Sequence, residues 1–406
     1  MTDSLSIAVI ATQVGKTPKD ITYSFVFDEI YRLAKRGLRI HVIRQVVEKD
    51  LISYGIYYHG IKDSIYPAVF KEILKNIGLY PLISLARSPR GLLYENLYSL
   101  RVKEIVKMYN IDLVHAHFAY PAGFIGLLAK KEIKKPLVVT LHGYDILVEP
   151  TVRYGIRLKK RYDVIIRRVL NYADAIIVAS KAVYNEASKL CKVKRKIHII
   201  PNGVDTKRFN PNIDGSILRK KLNIEDKFVV FTAKYHRPPY GIEYLISSIP
   251  IVLKKRKDVI FVIGGDGPLR PCFERLVLKL GVKNNVIFTG MISREYMPYY
   301  YAMSDVVVIP SLQEAWGLIV TEAMATGKPV IGTKVGGIVD QIIDGYNGFL
   351  VPPRDPKAIA DKILWFIENP KEVKRMGLNA RRFVEKNFDI KRRIDNIIKL
   401  YKKLLG

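Results

Sequence analysis

Cysteine is almost missing: Cys191 and Cys272 are the two in 406 residues, far apart and in no CxxC or metal-like spacing. No disulfide framework is implied, and a reducing compartment is expected. Acidic side chains are scarce beside basic ones, 38 against 67, which leaves a formal net charge of +29. An excess of that size points to an anionic partner, whether phosphorylated substrate, acidic membrane surface or nucleic acid, or else to a lysine-rich surface that follows the host's amino-acid usage. No stretch of about eighteen apolar residues occurs, so nothing reads as a bilayer span and any membrane contact is peripheral. The opening MTDSLSIAVIATQ carries an acid and lacks the basic region of a signal peptide. It reads as a first strand, and the expected location is cytoplasmic, with the cytoplasmic face of the membrane as the place of any lipid contact.

What the chain does have is a succession of short β-branched runs. Residues 7–11, 40–43, 112–117, 137–140, 175–179 and 197–200 in the first half, then 229–233, 259–263, 286–289 and 306–309, read as buried parallel strands. Amphipathic helices such as 25–35 and 242–253 lie between them. The fold class is α/β, with two doubly wound parallel sheets. The Pro201-Asn202-Gly203 turn with Pro211 makes 201–212 a linker between domains 1–200 and 213–385. Residues 386–406 hold a basic amphipathic helix expected to pack back toward the first domain.

The most informative stretch is 304–333, SDVVVIPSLQEAWGLIVTEAMATGKPVIGT, in which Glu314 and Glu322 stand eight positions apart. The strand VVVI is stopped by Pro310. A loop leads to a helix that begins at Gly317-Leu318 and ends at Gly327 with Pro329 beyond, and a second strand closes the βαβ unit. Glu314 then precedes the helix and Glu322 sits near its second turn, separated by about 10 Å along the axis. Between them the N–H groups of Trp316, Gly317 and Leu318 form a positive pole suited to phosphate. Ionised acids accept paired hydrogen bonds from sugar hydroxyls. The order sugar, phosphate, sugar fits a nucleotide-sugar, with Glu314 on the transferred hexose and Glu322 on the ribose. The alternative is a solvated loop acid and an exposed helix acid.

Other features are less specific. The opening loop holds Gly15 and Lys16 at a pocket-facing position but lacks paired glycines. Residues 66–100 combine an apolar helical face with Lys71, Lys75, Arg87 and Arg90, which suits either an anionic membrane surface or core packing. His115 and His117 form an HxH pair with no third ligand at metal spacing, so no metal site is expected. His142 and Asp145 flank a glycine turn at the end of a strand, where this sheet type keeps its ligands. Arg153, Arg157 and Arg161 recur every four residues, as on one helix face, either to bind acceptor phosphates or to meet solvent. In Gly264-Gly265-Asp266-Gly267-Pro268 the proline is placed for the first turn of a helix.

Taken together, these segments resemble the GT-B glycosyltransferases of the retaining group called family four. The residues that carry the likeness are IPNGVD at 200–205, the GDGP turn at 265–268, the glutamate pair in EAWGLIVTEAMATGKPV, the later GG and GF turns and HGYD at 142–145. HAHFAYPAG at 115–123 is similar to members that build cell-surface polysaccharides. The resemblance implies two Rossmann-like domains facing a cleft and a metal-independent, retaining transfer of a hexose, with no cofactor beyond a nucleotide-sugar donor, a UDP-sugar before a GDP-sugar. The acceptor it implies is lipid-linked or part of a surface glycan, reached through peripheral contact with anionic membrane. A soluble sugar or sugar phosphate is the alternative acceptor, and a basic nucleic-acid-binding protein the non-enzymatic one. By the same resemblance His142 and Glu314 contact the transferred sugar, and Glu322 holds the nucleoside. Lys234, Arg237, Gly15 and the amides of Trp316, Gly317 and Leu318 meet sugar and phosphate. One departure stands out: Lys234 occupies the place of a family arginine and Tyr240 that of a lysine, which leaves Arg237 as the candidate for the missing cation.

Overall fold

The structure is a computed structural model that describes residues 4–12, 14–17, 20, 23–44, 49–61, 68–80 and 89–406. The chain separates into two compact units, Met1–Ile200 with Ile394–Gly406, and Pro201–Arg393.

In the first unit the described strands are β1 (Ser6–Ile10), β2 (Arg39–Ile43), β3 (Leu51–Ser53), β4 (Ile56–His59), β5 (Leu113–His117), β6 (Leu137–Leu141), β7 (Ala175–Val178) and β8 (Ile197–Ile199). They form one sheet in the order β3-β4-β2-β1-β5-β6-β7-β8. All pairings are parallel except β3 with β4. β1, β5 and β6 are buried along their whole length, as continuous apolar strands must be when helices cover both faces. The β3–β4 hairpin is absent from the sequence reading. Its turn places Tyr54 at φ 53° and Gly55 at φ 76°, the paired positive angles of a tight hairpin. Strand order reverses between β1 and β5, so the loops after these strands project side by side beyond the carboxyl edge.

Two expectations about helices need correction. Residues 66–100 are not one helical face: Val69–Asn76 is a short helix and Pro89–Met108 a separate long one, while Leu82, Ile83, Leu85 and Arg87 lie outside the described residues. Nor do Arg153, Arg157 and Arg161 share a helix. Arg153 ends the 3-10 turn Pro150–Val152 in the left-handed region, Arg157 lies in the 3-10 turn Ile156–Leu158, and Arg161 belongs to the helix Lys160–Tyr172. Arg157 is held internally by Asp163 at 2.7 Å and Glu186 at 2.8 Å, so no cationic stripe forms there.

The second unit carries β9 (Phe228–Ala233), β10 (Val259–Gly264), β11 (Val286–Gly290), β12 (Val306–Ile309), β13 (Val330–Thr333) and β14 (Gly348–Val351). The order is β11-β10-β9-β12-β13-β14, parallel throughout. Val230, Phe261, Val306 and Ile331 from the sheet pack with Ile242, Ile246 and Ile249 of the helix Ile242–Lys255 and Ile359 and Ile363 of the helix Pro356–Glu368. Here order reverses between β9 and β12. After β10 the helix starts at Arg270, with Pro271 in its first turn, so Pro268 belongs to the loop and does not open the helix as the sequence suggested.

The last helix, Ile390–Leu405, begins in the second unit, and from Ile394 onward it belongs to the first. There Asp395 pairs with Arg36 at 2.8 Å and the Tyr401 hydroxyl lies 2.6 Å from His115 Nδ1. Among the described residues no helix is long and apolar enough to cross a membrane.

Candidate active site

The segments that follow β9 and β12 leave the second sheet at its reversal point, the position where open α/β sheets collect ligands. Lys234 follows β9, and Glu314 follows β12. Their side chains form an ion pair, and both are largely buried, at 11% and 15% exposure. Ser311 Oγ adds a donor 3.4 Å from the same carboxylate. The Glu314 carboxylate therefore comes pre-oriented, with lone pairs left over for hydroxyl donors, and the Lys234 ammonium keeps two further N–H bonds to give.

Tyr240, the uncharged residue at the lysine position of the family pattern, lies below that ammonium, 5.1 Å from the ring centroid. It steadies Lys234 through its π face in place of a second charge. Burial, reinforced by Glu314, raises the Tyr240 hydroxyl above its ordinary range, so the ring stays neutral. Arg237 is exposed and stacked on Tyr235 at 5.0 Å. It is near enough to Tyr240 to act on it electrostatically together with Lys234.

Backbone locks hold these loops. The N–H groups of Leu312 and Gln313 donate to the Pro239 carbonyl at 2.8 and 3.2 Å, tying the glutamate loop to the turn that carries Arg237 and Tyr240. Gly265, at φ 102°, lies against the Lys234 carbonyl, and Gly336, at φ 49°, against the Glu314 carbonyl. Neither position has room for a Cβ, and each angle favours glycine. Gln341 Nε2 donates to the carbonyls of Trp316 and Gly337, the latter at 3.0 Å. Gln341 carried no signal in the sequence because it acts on backbone 25 residues away.

The helix after Glu314 runs Leu318–Ala325, with Gly317 as its cap at φ 94°. The Trp316 ring is buried edge-on against Phe388, 4.9 Å between centroids, so this residue offers a ligand its backbone and not its indole. Glu322 accepts from the Tyr301 hydroxyl at 2.7 Å. Tyr301 is fully buried, and burial, then Glu322, pushes its hydroxyl well above the ordinary range. It is a fixed donor aimed at the proposed nucleoside-binding acid. No local sequence pattern marks this contact, which joins residues 21 positions apart.

In the first unit Gly15 lies in the loop after β1. The two amides that follow it, of Lys16 and Thr17, donate to Asp20 Oδ2 at 2.8 Å each. His142 follows β6. Asp145 clamps its turn by accepting from the N–H groups of Ala119, His142 and Gly143 at 2.7, 3.0 and 2.9 Å. Full burial raises the Asp145 carboxyl, and these donors pull it down. The His142 ring lies between Phe118 and Phe25, 4.5 and 4.9 Å away, and its Nε2 is 3.0 Å from His117 Nδ1.

The sequence offered no third group for the His115/His117 pair, and the structure supplies one. Glu29, from the helix Ser24–Lys35, brings the three sets of ligand atoms within 4.8 Å of one another, all buried. Both nitrogens of His115 already meet hydroxyls, Tyr401 at 2.6 Å and Thr140 at 2.7 Å. His115 is therefore committed to hydroxyl partners, while His117 Nε2 and Glu29 Oε1 lie 3.6 Å apart.

Two α/β units, each built on a largely parallel sheet, make up the GT-B fold. Among solved structures, sucrose-phosphate synthase from Thermosynechococcus elongatus matches with a TM-score of 0.80 at 22% identity, covering 98% of this chain and 99% of its own. The chain belongs to the glycosyl transferases group 1: the model of that family matches residues 215–383, and the model of Glycosyltransferase Family 4 matches residues 24–208. An uncharacterized glycosyltransferase of Methanocaldococcus jannaschii is 30% identical over 373 residues, 91% of this chain and 95% of its own length. The N-acetyl-alpha-D-glucosaminyl L-malate synthase of Bacillus anthracis is 27% identical over 405 residues, 98% of this chain and 92% of its own.

Proposed function

We propose that this glycosyltransferase moves a hexose from a nucleotide-sugar, a UDP-sugar before a GDP-sugar, with retention at the anomeric carbon and without a metal. The observation that carries the reading is the Lys234–Glu314 pair at the sheet's reversal point, beside the helix end that leads to Glu322. Glu314 holds hydroxyls of the transferred sugar, and Glu322, steadied by Tyr301, holds the ribose. Lys234, Arg237 and the amides of residues 316–318 take the charge that grows on the departing diphosphate, the role that fixed donors and cations fill when charge develops. His142 is assigned to the sugar near its reacting carbon by the family resemblance alone. The relative that makes an alpha-glucosaminyl product supports retention.

For the acceptor we favour a lipid-linked or surface glycan met at the cytoplasmic face of an anionic membrane. Phe70, Leu74 and Ile77 are exposed one turn apart along and just beyond the helix Val69–Asn76, with exposed Lys71 beside them. An apolar stripe edged by cations suits such a surface. A cavity of about 370 Å³ lined by Arg90, Tyr94, Glu95, Tyr120 and Pro121 offers aromatic and charged walls to a polyhydroxylated group. The second reading, a soluble acceptor, is favoured by the relative named for L-malate.

Screening a panel of nucleotide-sugars for turnover, followed by NMR of the product's anomeric coupling, tests the donor and the stereochemistry. An inverted product would contradict retention. Co-sedimentation with anionic vesicles separates the acceptor readings: binding that is lost in Phe70→Ser/Leu74→Ser supports the membrane, and no binding at moderate salt favours the soluble acceptor.

A further inference from the structure

We propose that Glu95 and Arg161 recognise one hydroxyl of the acceptor's terminal sugar, which enters a recess of the first unit and bridges the two charged groups. This deepens the reading above and rests on it, because it names the end of the acceptor that the enzyme holds. Glu95 comes from the helix Pro89–Met108, Arg161 from the helix Lys160–Tyr172, and Tyr120 from the segment after β5. With Tyr80 and Tyr162 they line a recess of about 20 Å³, room for one water-sized group and no more. Glu95 and Tyr120 also wall the cavity of about 370 Å³ that holds Arg90 and Tyr94, so the two spaces adjoin.

Glu95 is 5% exposed, and its Oε1 accepts from the Tyr120 hydroxyl at 2.6 Å. Tyr80 gives it a second hydroxyl donor. Burial raises the Glu95 carboxyl, while those hydroxyls and the nearby Arg161 charge pull it down. An ionised carboxylate has about four lone-pair sites, so two hydroxyls do not exhaust it. Arg161 gives Nη2 to the Tyr162 hydroxyl at 2.7 Å and lies over that ring at 4.5 Å. Its Nε is buried and has no acceptor among the described residues, a donor whose desolvation an occupant of the recess would offset. Arg161 acts on Glu95 through space, yet the two form no direct ion pair among the described residues. A hydroxyl gives its proton to the carboxylate and accepts from Nε–H, so it satisfies both. A carbonyl or ether oxygen would leave the carboxylate unmet, a phosphate would face it as a like charge, and an ammonium would face Arg161. The tyrosine walls of the larger cavity suit the body of a sugar ring, with the few polar groups fixing its orientation.

The test is saturation-transfer NMR of the full chain with D-glucose, D-galactose and D-mannose, against tetrahydropyran, which keeps the ring and lacks every hydroxyl. At least one hexose is expected to receive saturation from the wild type, and tetrahydropyran none. Glu95→Leu and Arg161→Met should each weaken that hexose by about tenfold or more, the scale of one hydrogen bond to a charged group. Glu95→Gln keeps the shape and one accepting oxygen, and should weaken it by a smaller factor; circular dichroism equal to wild type reports an intact fold. Absence of transfer to every hexose, equal transfer in wild type and the folded Glu95 variants, or a tetrahydropyran signal as strong as the hexose signal would overturn the proposal. If no nucleotide-sugar is turned over while the hexose signal is present and falls in Glu95→Leu, it is the transferase reading that fails, and the recess stands as a sugar site.

Discussion

At the scale of single residues, the proposed donor site carries Tyr240 where the family pattern places a lysine, with its ring under Lys234. In that proposed site Arg237, an exposed guanidinium that acts on Tyr240, is the candidate for a second positive charge on the diphosphate. Arg237→Ala is expected to lower turnover by about a hundredfold, the scale of one lost transition-state contact; steady-state kinetics showing wild-type turnover would remove Arg237 from the site. Tyr301→Phe deletes the hydroxyl that holds Glu322 at 2.7 Å. A hydrogen bond to a charged group contributes about 1.5–3 kcal/mol, so affinity for the nucleoside diphosphate should weaken by about tenfold or more in a calorimetric titration, with the fold unchanged by circular dichroism. The two glutamates stand out in the sequence because they lie eight positions apart in one βαβ unit, one in the loop before its helix and the other on it. Tyr301, Gln341 and Glu29 do not, because their contacts are made by packing across elements, which no local pattern records.

At the scale of elements, what was legible followed the physics of burial. β1, β9 and β12 are continuous β-branched runs because both of their faces are covered, and they could be read directly. The β3–β4 hairpin has strands of three and four residues, LIS and IYYH, and turns at Tyr54-Gly55, a weaker turn signal than Asn-Gly or Asp-Gly. The arginines at four-residue spacing misled because the chain from Pro150 to Leu158 breaks into two 3-10 turns, which spacing alone cannot distinguish from a helix.

The edge of the first sheet also makes a prediction about pH. His41 of β2 lies 3.0 Å from His59 of β4 and is stacked on Tyr57. Burial, then His59, pushes its pKa down to about 4. An unfolded histidine titrates near pH 6.5, so between about pH 6.5 and 4 the unfolded chain binds a proton that the folded chain refuses. Stability should therefore fall as pH drops through that window, by on the order of 3 kcal/mol at its acid end. Denaturant unfolding at pH 7 and pH 5 should show a smaller loss in His41→Phe than in wild type. Equal losses would contradict the assignment.

At the scale of the whole molecule, two sheets of similar design carry different residues at the carboxyl ends of their strands. In the second unit these are a cation and an acid beside a helix end. In the first they are His142 after β6, in contact with His117, and a loop after β1 whose amides serve Asp20. The net charge of +29 accords with a substrate rich in phosphate and with an anionic surface as its setting. The most direct measurement is a calorimetric titration of the full-length protein with UDP, repeated on Glu322→Leu. One site is expected in the wild type, with affinity falling by about a hundredfold when the charged acceptor for the ribose is lost. Absence of binding by any nucleoside diphosphate, or equal affinity in the two proteins, would contradict the placement of the donor at Glu314 and Glu322.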